Sequence, residues 1–214
     1  MRSDARQPRV NRTDPTIRAF RRATAARPAH GHVYRGGVAS RTSAGILPFR
    51  RTTPIVPTDV VHIEVLIGHM GGPFWSRKHE GAWSFPKGEH EPDDDPVTVA
   101  RREFTEETGQ TLPLDDTDLI DLGARRQRGG KTVRLFAADL TDHPLDADDC
   151  RSNHFTIEWP PRSGRRAEFP EIDRWAWVAA HDAVPLLTSA QAEFVGVLVT
   201  RLDGTDREAG PLPH

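Results

Sequence analysis

The sequence predicts a mixed α/β or α+β domain, and three observations support this fold class. Strand-like runs rich in β-branched residues stand on both sides of one helix with clear start and stop signals. Two glycines join two of those runs, a pattern typical of a tight hairpin. A second helical pattern lies near the C-terminal end. The topology of the sheet does not follow from this pattern alone.

Two strands are expected before the first helix. Ser43–Phe49 is a short apolar run, and Val60–Met70 is apolar and β-branched with partial alternation. The two prolines in Arg50–Asp59 predict a loop between these strands. The Gly, Pro and Trp content of Gly71–Gly88 predicts a long structured loop after them.

The first helix has a signal at each end and is expected to reach Thr108. Asp95 is a good N-cap because its carboxylate can accept a hydrogen bond from the first turn. Pro96 loses no hydrogen bond at the first helical position. Gly109 fits the left-handed residue that ends many helices.

The second half of the domain predicts three strands and one more helix. Leu119–Arg128 and Lys131–Leu140 are expected to pair as a hairpin around Gly129-Gly130, because tight turns need positive φ. A third strand is expected around Arg174–Val178. The apolar residues of His181–Leu202 recur at helical spacing and predict a single helix.

The composition of the 214-residue chain suits one domain with extensions. Residues 1–40 lack periodicity and are expected to form a disordered, basic N-terminal extension. The domain then covers residues 41–203, and residues 204–214 are expected to be a flexible tail. Residues 1–41 carry ten Arg against two acids, although the whole chain has a net charge of −2. This arginine-rich segment could bind nucleic acid or another polyanion, but it has neither a helical apolar stripe nor interleaved aromatic residues, so nucleic acid is not the expected partner.

Two further features bear on location. No stretch approaches the roughly 18 uninterrupted apolar residues that a membrane span needs, so no membrane partner is expected. The single Cys150 excludes an internal disulfide bond, and a reducing, cytoplasmic location is therefore expected.

Three carboxylates fall together on the first predicted helix. At about 100° per residue, Glu103, Glu106 and Glu107 share a face that flanks the apolar stripe. One interpretation is a solvated acidic face, since exposed neighbouring carboxylates cost only a few tenths of a kcal/mol per pair. A partly buried cluster would instead need a cation, and oxygen ligands favour Mg²⁺ or Mn²⁺ over Zn²⁺.

The segment Gly88–Gly109 resembles the Nudix box, in which a Gly is followed at fixed spacing by Arg-Glu-apolar-x-Glu-Glu-x-Gly. The residues in register are Gly88, Arg102, Glu103, Phe104, Glu106, Glu107 and Gly109. Asp94 departs from the usual Glu, a position that supports the loop in the family, and Gln110 departs from the usual apolar residue. The resemblance implies a Nudix fold, an α/β (α+β sandwich) domain with a mixed β-sheet between helices.

The resemblance extends beyond the box. Trp83–Gly88 and Gly130–Val133 resemble segments of the diadenosine tetraphosphate hydrolases, and Glu171 resembles that subgroup's Glu before its final strand. The whole stretch Thr42–Leu202 is also similar to an uncharacterised bacterial Nudix group. The segments shared with that group are GGPFW, RQRGGKT and EWPPRSGR, at Gly71–Trp75, Arg126–Thr132 and Glu158–Arg165.

The resemblance implies a metal-dependent site. Glu103, Glu106 and Glu107 would hold Mg²⁺ or Mn²⁺, with the backbone of Gly88 near the same ion. Either Glu103 or Glu171 would take the proton from the attacking water, since Nudix subgroups differ in the base. Arg102 would orient Glu103 rather than touch the substrate.

Substrate contacts are expected from basic and aromatic residues near the box. The candidate phosphate contacts are Lys87, Arg126, Arg128 and Lys131, although the two arginines could also form an exposed hairpin end. Trp83 and Trp75 could stack a base or pack a loop.

The leading hypothesis is therefore a hydrolase of dinucleoside polyphosphates, or of another nucleoside diphosphate-linked compound. The alternatives are a nucleoside triphosphate pyrophosphohydrolase that sanitises the nucleotide pool, and a non-catalytic nucleotide-binding regulatory module. The expected partner is a small nucleotide, and the sequence leaves open whether the protein is a monomer or a homodimer.

Overall fold

The computed structural model describes residues 41–53, 62–127 and 130–204. Several predictions from sequence lie outside these residues, among them the N-terminal extension, most of the loop 50–59, Arg128 and Gly129 of the hairpin, and residues 205–214 of the tail. No helix in the described part is long and apolar enough to cross a membrane.

The domain is built on a seven-stranded mixed sheet. Side chains alternate between the two faces of each strand, and buried apolar residues lie on both faces of the sheet. Its strands are β1 (Thr42–Arg51), β2 (Ile63–Met70), β3 (Trp83–Ser84), β4 (Lys87–His90), β5 (Ile120–Arg126), β6 (Thr132–Asp139) and β9 (Ile172–Ala179). The path of the sheet is β3-β2-β1-β6-β5, with β4 paired to β1 and β9 paired to β2. Only the β1–β6 pair is parallel among these described strands.

Three α-helices flank the sheet: α1 (Pro96–Thr108), α2 (Ala180–Leu186) and α3 (Ser189–Leu202). The predicted caps of α1 are confirmed, because the Asp95 carboxylate accepts the Thr98 N–H and Gly109 adopts a φ of 71°. Short 3₁₀ turns lie at Asp116–Asp118 and Ala147–Asp149.

Strand β1 shows how the sheet separates two cores. Ala44 and Ile46 point to the face that Val99, Ala100 and Phe104 of α1 cover. The intervening odd-numbered residues point to the other face and pack with α2 and α3; they include Leu47 and Phe49, which meet Phe194, Val195 and Leu198. The mixed sheet between helices, predicted from the Nudix resemblance, is confirmed.

The prediction of one helix over His181–Leu202 is wrong, because two helices meet at Leu187 and Thr188. Leu187 is extended, with a ψ of 156°, and Pro185 supplies no N–H to continue the first helix. The Thr188 N–H donates to the Trp83 carbonyl at 3.3 Å, so the break ties the helix pair to β3.

The prediction that Gly71–Gly88 is only a loop also needs correction, because Trp83–Ser84 and Lys87–His90 are short strands. Gly45 permits the approach of β4 to β1, since a Cβ there would meet the Pro86 carbonyl at 2.3 Å. These pairings depend on distant partners, which explains why local composition does not show them.

A separate two-stranded sheet joins β7 (His154–Glu158) and β8 (Arg166–Pro170). Residues 155–168 belong to a compact unit other than the one that holds the seven-stranded sheet. Within this hairpin the Trp159 N–H donates to the Arg165 carbonyl, and Gly164 takes a φ of 71° at the turn.

Candidate active site

The first feature of the site is a direct contact between Gly88 and Glu103. Strand β4 places Gly88 opposite Ala44 of β1, and α1 packs on β1 through its apolar stripe. The Glu103 carboxyl carbon lies 2.0 Å from the point that a Cβ on Gly88 would occupy. Glu103 is only 8% exposed, so the absence of a side chain at Gly88 makes room for a buried acidic residue.

Glu107 lies one helical turn after Glu103 and faces the same end of β4. Its Oε2 accepts the Lys87 backbone N–H at 3.2 Å. Burial, together with the nearby Glu103 and Glu171 carboxylates, raises the pKa of Glu107 to about 8 against the opposing charge of Lys87. Without a cation, this carboxyl group therefore favours its protonated form at neutral pH.

Glu171 reaches this cluster from a different part of the chain. It precedes β9, and its carbonyl accepts the Gly71 N–H at 2.8 Å while its own N–H donates to Asn153 at 2.8 Å. A Cβ on Gly71 would meet the Pro170 carbonyl at 2.1 Å, so only glycine allows this close approach. The structure thus brings together Glu103, Glu107 and Glu171, which the sequence resemblance assigns to one site.

Arg102 lies beside the cluster on α1. Its guanidinium donates to Glu103 Oε1 at 2.8 Å, and its Nε lies 3.7 Å from Glu106 Oε1. The hydrogen bond from Arg102 to Glu103 raises the pKa of the guanidinium above its usual value. The Arg102 guanidinium thus contacts both Glu103 and Glu106.

Two lysines form the basic side of the site. The Lys131 ammonium lies 3.1 Å from Glu89 Oε1, and Glu89 also lies 3.7 Å from Arg41. Burial lowers the pKa of Lys131, and the positive charge of Lys87 lowers it further, while Glu89 opposes the shift. Lys87 is therefore close enough to act electrostatically on both Lys131 and Glu107.

The residues fit a hard divalent cation by their chemistry, since the cluster offers carboxylate oxygens and a glycine backbone. The Gly88–Glu103 contact and the raised pKa of Glu107 both point to a charge that a cation would relieve. Within residues 41–53, 62–127 and 130–204, however, no three His, Cys, Asp or Glu side chains are already placed as ligands of one ion. Binding would accordingly require the glutamates to adjust.

The other two predicted phosphate contacts are arginines. Arg126 is exposed at the end of β5, where its Cα pairs with Thr132, and Arg128 lies outside the described residues.

Trp83 is 4% exposed and belongs to the core, with the Arg174 guanidinium 5.2 Å above its ring and His69 against its edge. The structure thus corrects the expectation that Trp83 stacks a base, because its ring is already covered by protein.

Sequence reasoning missed two buried polar residues next to Lys87. The Lys87 ammonium donates to Ser84 Oγ at 2.7 Å, and the Gln191 side chain bonds both Ser84 and the Phe85 N–H. A signal existed for Gln191, which stands three and four residues before the buried Phe194 and Val195 and therefore on the apolar stripe of its helix.

The fold and the glutamate-rich helix beside two lysines place the chain among the hydrolases that act on acid anhydrides in phosphorus-containing compounds. A NUDIX domain model matches residues 48–197, more than two thirds of the chain. The chain belongs to the Nudix family. Members of this family generally use divalent metal ions.

Three solved structures are similar at low sequence identity. Each has a TM-score of 0.48, and each match covers 77% of the present chain. One is an Ap4A hydrolase from C. elegans in a binary complex, which is 20% identical, and the match covers 98% of its length. Another is a mutT/nudix family protein from Listeria innocua, 14% identical and covered over 95%. The third is the NUDIX domain of NrtR from Shewanella oneidensis complexed with ADP ribose, 16% identical and covered over 89%. No curated protein matches the sequence.

Proposed function

We propose that this protein hydrolyses a phosphoanhydride bond in a nucleoside diphosphate-linked substrate, a dinucleoside polyphosphate such as diadenosine tetraphosphate, with Mg²⁺ or Mn²⁺. The observation that carries the proposal is the convergence of Glu103, Glu107 and Glu171 beside Gly88 and Lys87. Like charges in a partly buried cluster repel by about 3 kcal/mol per pair at an effective dielectric constant near 20, so the cluster calls for cationic partners. A metal ion and a phosphate-binding lysine would supply them.

In this proposal Glu103, Glu106 and Glu107 hold the ion, with the Gly88 backbone beside it. When bound, the ion neutralises charge on the phosphoryl oxygens and polarises the bond that breaks. Glu103 is suited to a fixed ligand because Arg102 and Gly88 confine its carboxylate.

Glu171 is the general base of the proposal. It comes from the segment before β9 rather than from α1, and its carboxylate is close enough to raise the pKa of Glu107. Glu103 is less suited to this role because its Oε1 already accepts a hydrogen bond from Arg102 at 2.8 Å. Glu171 would take a proton from the attacking water, and the leaving phosphate would depart with the electron pair of the broken P–O bond.

Lys87 and Lys131 would bind the phosphate chain as compact positive charges. Burial and the positive charge of Lys87 both lower the pKa of Lys131, and an anionic phosphate between or beside the two ammonium groups would relieve their repulsion. Arg126 and Arg128 stay candidates for the distal phosphates or the second nucleoside.

The choice of dinucleoside polyphosphate depends on the resemblance of Trp83–Gly88, Gly130–Val133 and Glu171 to the diadenosine tetraphosphate hydrolases. A panel of nucleotides incubated with protein and Mg²⁺, with products resolved by mass, tests it. Formation of AMP and ATP from diadenosine tetraphosphate supports the proposal. Diphosphate release from nucleoside triphosphates would support the pool-sanitising alternative, and tight nucleotide binding without any turnover would support the regulatory module.

A further inference from the structure

The loop before the Nudix box is tied to the last helix by one buried side chain. Gln191 of α3 is 1% exposed, and its Oε1 accepts the Phe85 N–H at 2.7 Å. Its Nε2 donates to Ser84 Oγ at 3.1 Å. Because a backbone N–H can only donate, the amide oxygen must face Phe85, and the amide nitrogen must therefore face Ser84.

The Ser84 hydroxyl connects this amide to Lys87. Ser84 is 3% exposed, and its Oγ lies 2.7 Å from the Lys87 ammonium and 2.9 Å from the Phe85 carbonyl. A hydroxyl has two acceptor positions and one proton. Gln191 and Lys87 fill the acceptor positions, and the proton goes to the Phe85 carbonyl at 2.9 Å or to Gln191 Oε1 at 3.4 Å. In either case Ser84 accepts from the Lys87 ammonium.

The arrangement fixes a side chain that is otherwise flexible. Lysine has a four-carbon stem with many rotamers, so binding a phosphate normally costs the conformational entropy of that side chain. A lysine that is already held in place avoids part of this cost. The bond to Ser84 uses one of the three ammonium donors and leaves two for a ligand. The backbone N–H of the same residue bonds Glu107, so Lys87 is held at both ends.

We propose that Gln191 and Ser84 are positioning residues, which aim the Lys87 ammonium at the phosphate chain of the substrate. This inference depends on the proposed function for its catalytic consequence, but the hydrogen-bond relay from α3 to Lys87 stands on the geometry alone. The last helix thereby contributes to the reaction without touching substrate.

The relay can be observed directly because the chain contains only three lysines, Lys78, Lys87 and Lys131. A ¹H–¹⁵N correlation spectrum of the lysine ammonium groups, recorded at low temperature and slightly acidic pH on ¹⁵N-lysine-labelled protein, shows signals for ammoniums that are hydrogen-bonded and exchange slowly. Lys87→Met assigns its signal. We expect Ser84→Ala and Gln191→Met to remove or shift this signal and to leave that of Lys131 in place.

Ser43→Ala is the matched control. Ser43 is 1% exposed, and its hydroxyl has no hydrogen-bond partner in the described part of the chain. This variant removes an equally buried hydroxyl and is expected to leave the Lys87 signal unchanged. An unaltered Lys87 signal in folded Ser84→Ala protein overturns the relay, whatever the enzyme does with nucleotides.

A double-mutant cycle tests the functional half of the inference. Ser84→Ala is expected to lower kcat for diadenosine tetraphosphate by about 10- to 100-fold, the range for a group that positions a catalytic partner. The same substitution made in Lys87→Met protein should have almost no further effect on kcat. Ser84→Thr, which keeps the hydroxyl, should restore part of the rate.

The outcomes separate the two proposals. Equal losses of kcat with and without Lys87 would show that Ser84 acts only on folding, and the positioning role would be rejected. If wild-type protein hydrolyses no nucleotide in the panel, the proposed function fails. The ammonium spectrum then still decides whether Gln191 and Ser84 hold Lys87.

Discussion

The carboxylate of Glu103 fills the space that a side chain at Gly88 would need, with 2.0 Å between its carboxyl carbon and the point of a Cβ. This contact couples β4 to α1 at the proposed metal site. The contact explains sterically why the box has a glycine here. Gly88 is not among the described glycines with a positive φ, so its backbone conformation does not require glycine.

Gly88→Ala is expected to push the Glu103 carboxylate away from β4 and to lower kcat by about 10- to 100-fold, as displaced metal-site groups do. The fold should survive because a side-chain end can move. Steady-state kinetics with Mg²⁺ and thermal unfolding measure the two effects.

Gly196→Ala is the control for this substitution. Gly196 lies in α3, and a Cβ there meets nothing within 4 Å. Alanine should leave turnover unchanged and add about 0.5–1 kcal/mol to the free energy of unfolding, because glycine is a poor helix residue. A wild-type rate in Gly88→Ala protein would contradict the importance of the Gly88–Glu103 contact.

Glu107 predicts a pH dependence of the metal-free protein. Its pKa is about 8 in the folded protein, against an ordinary value of 4.5. Between these pH values the unfolded chain has lost a proton that the folded protein retains, so the free energy of unfolding falls as pH rises from 4.5 to 8. Denaturant titrations in EDTA should show this fall.

Glu107→Gln should flatten the decline, because glutamine does not titrate in this range. Mg²⁺ should also reduce the decline in wild-type protein, since a cation favours the ionised carboxylate, and it should have less effect on the variant. Equal slopes in wild-type and variant protein would argue against a buried, protonated Glu107.

The two candidate bases are separable by metal affinity. Glu103→Gln should weaken Mn²⁺ binding as well as turnover, because Glu103 is proposed as a ligand. Glu171→Gln should lower kcat by about 100-fold or more, as loss of a general base does, with Mn²⁺ affinity preserved. Calorimetric Mn²⁺ titrations beside kcat measurements check both variants, and the reverse pattern would assign the base to Glu103.

Trp83 offers a test of core packing against base stacking. Trp83→Ala should lower the free energy of unfolding by about 3–5 kcal/mol, the usual loss for a buried aromatic residue. At temperatures where the variant remains folded, its Kd for ADP should match that of wild-type protein. A large loss of ADP affinity in folded protein would return Trp83 to the binding site.

Local signals in the sequence account for α1 and its chemistry. The Asp95 cap and the Gly109 stop are both present, and helical spacing correctly groups Glu103 with Glu107. Asp94 accepts the Glu91 N–H at 3.0 Å and so supports the loop before α1. Gln110, which replaces an apolar residue of the box, bonds the Asp149 carbonyl at 3.2 Å instead of packing.

The remaining parts of the site depend on tertiary contacts. The pairing of β4 with β1 is not visible in the composition of Lys87–His90, because it is determined by Gly45 and Pro86 across the sheet. Likewise, Gln191 and Lys87 are more than 100 residues apart in sequence and meet only through Ser84. The break between α2 and α3 is tied to β3 by the hydrogen bond from the Thr188 N–H to the Trp83 carbonyl, a tertiary contact that the local pattern of apolar residues does not show.

The central claim is that the glutamate cluster uses a divalent ion to hydrolyse a phosphoanhydride. The most direct test is the rate of AMP and ATP formation from diadenosine tetraphosphate by wild-type protein in Mg²⁺, by wild-type protein in EDTA, and by Glu107→Gln protein in Mg²⁺. We expect turnover only in the first case, with the other two rates lower by at least about 100-fold. Equal rates in all three would contradict the metal-dependent role of the cluster.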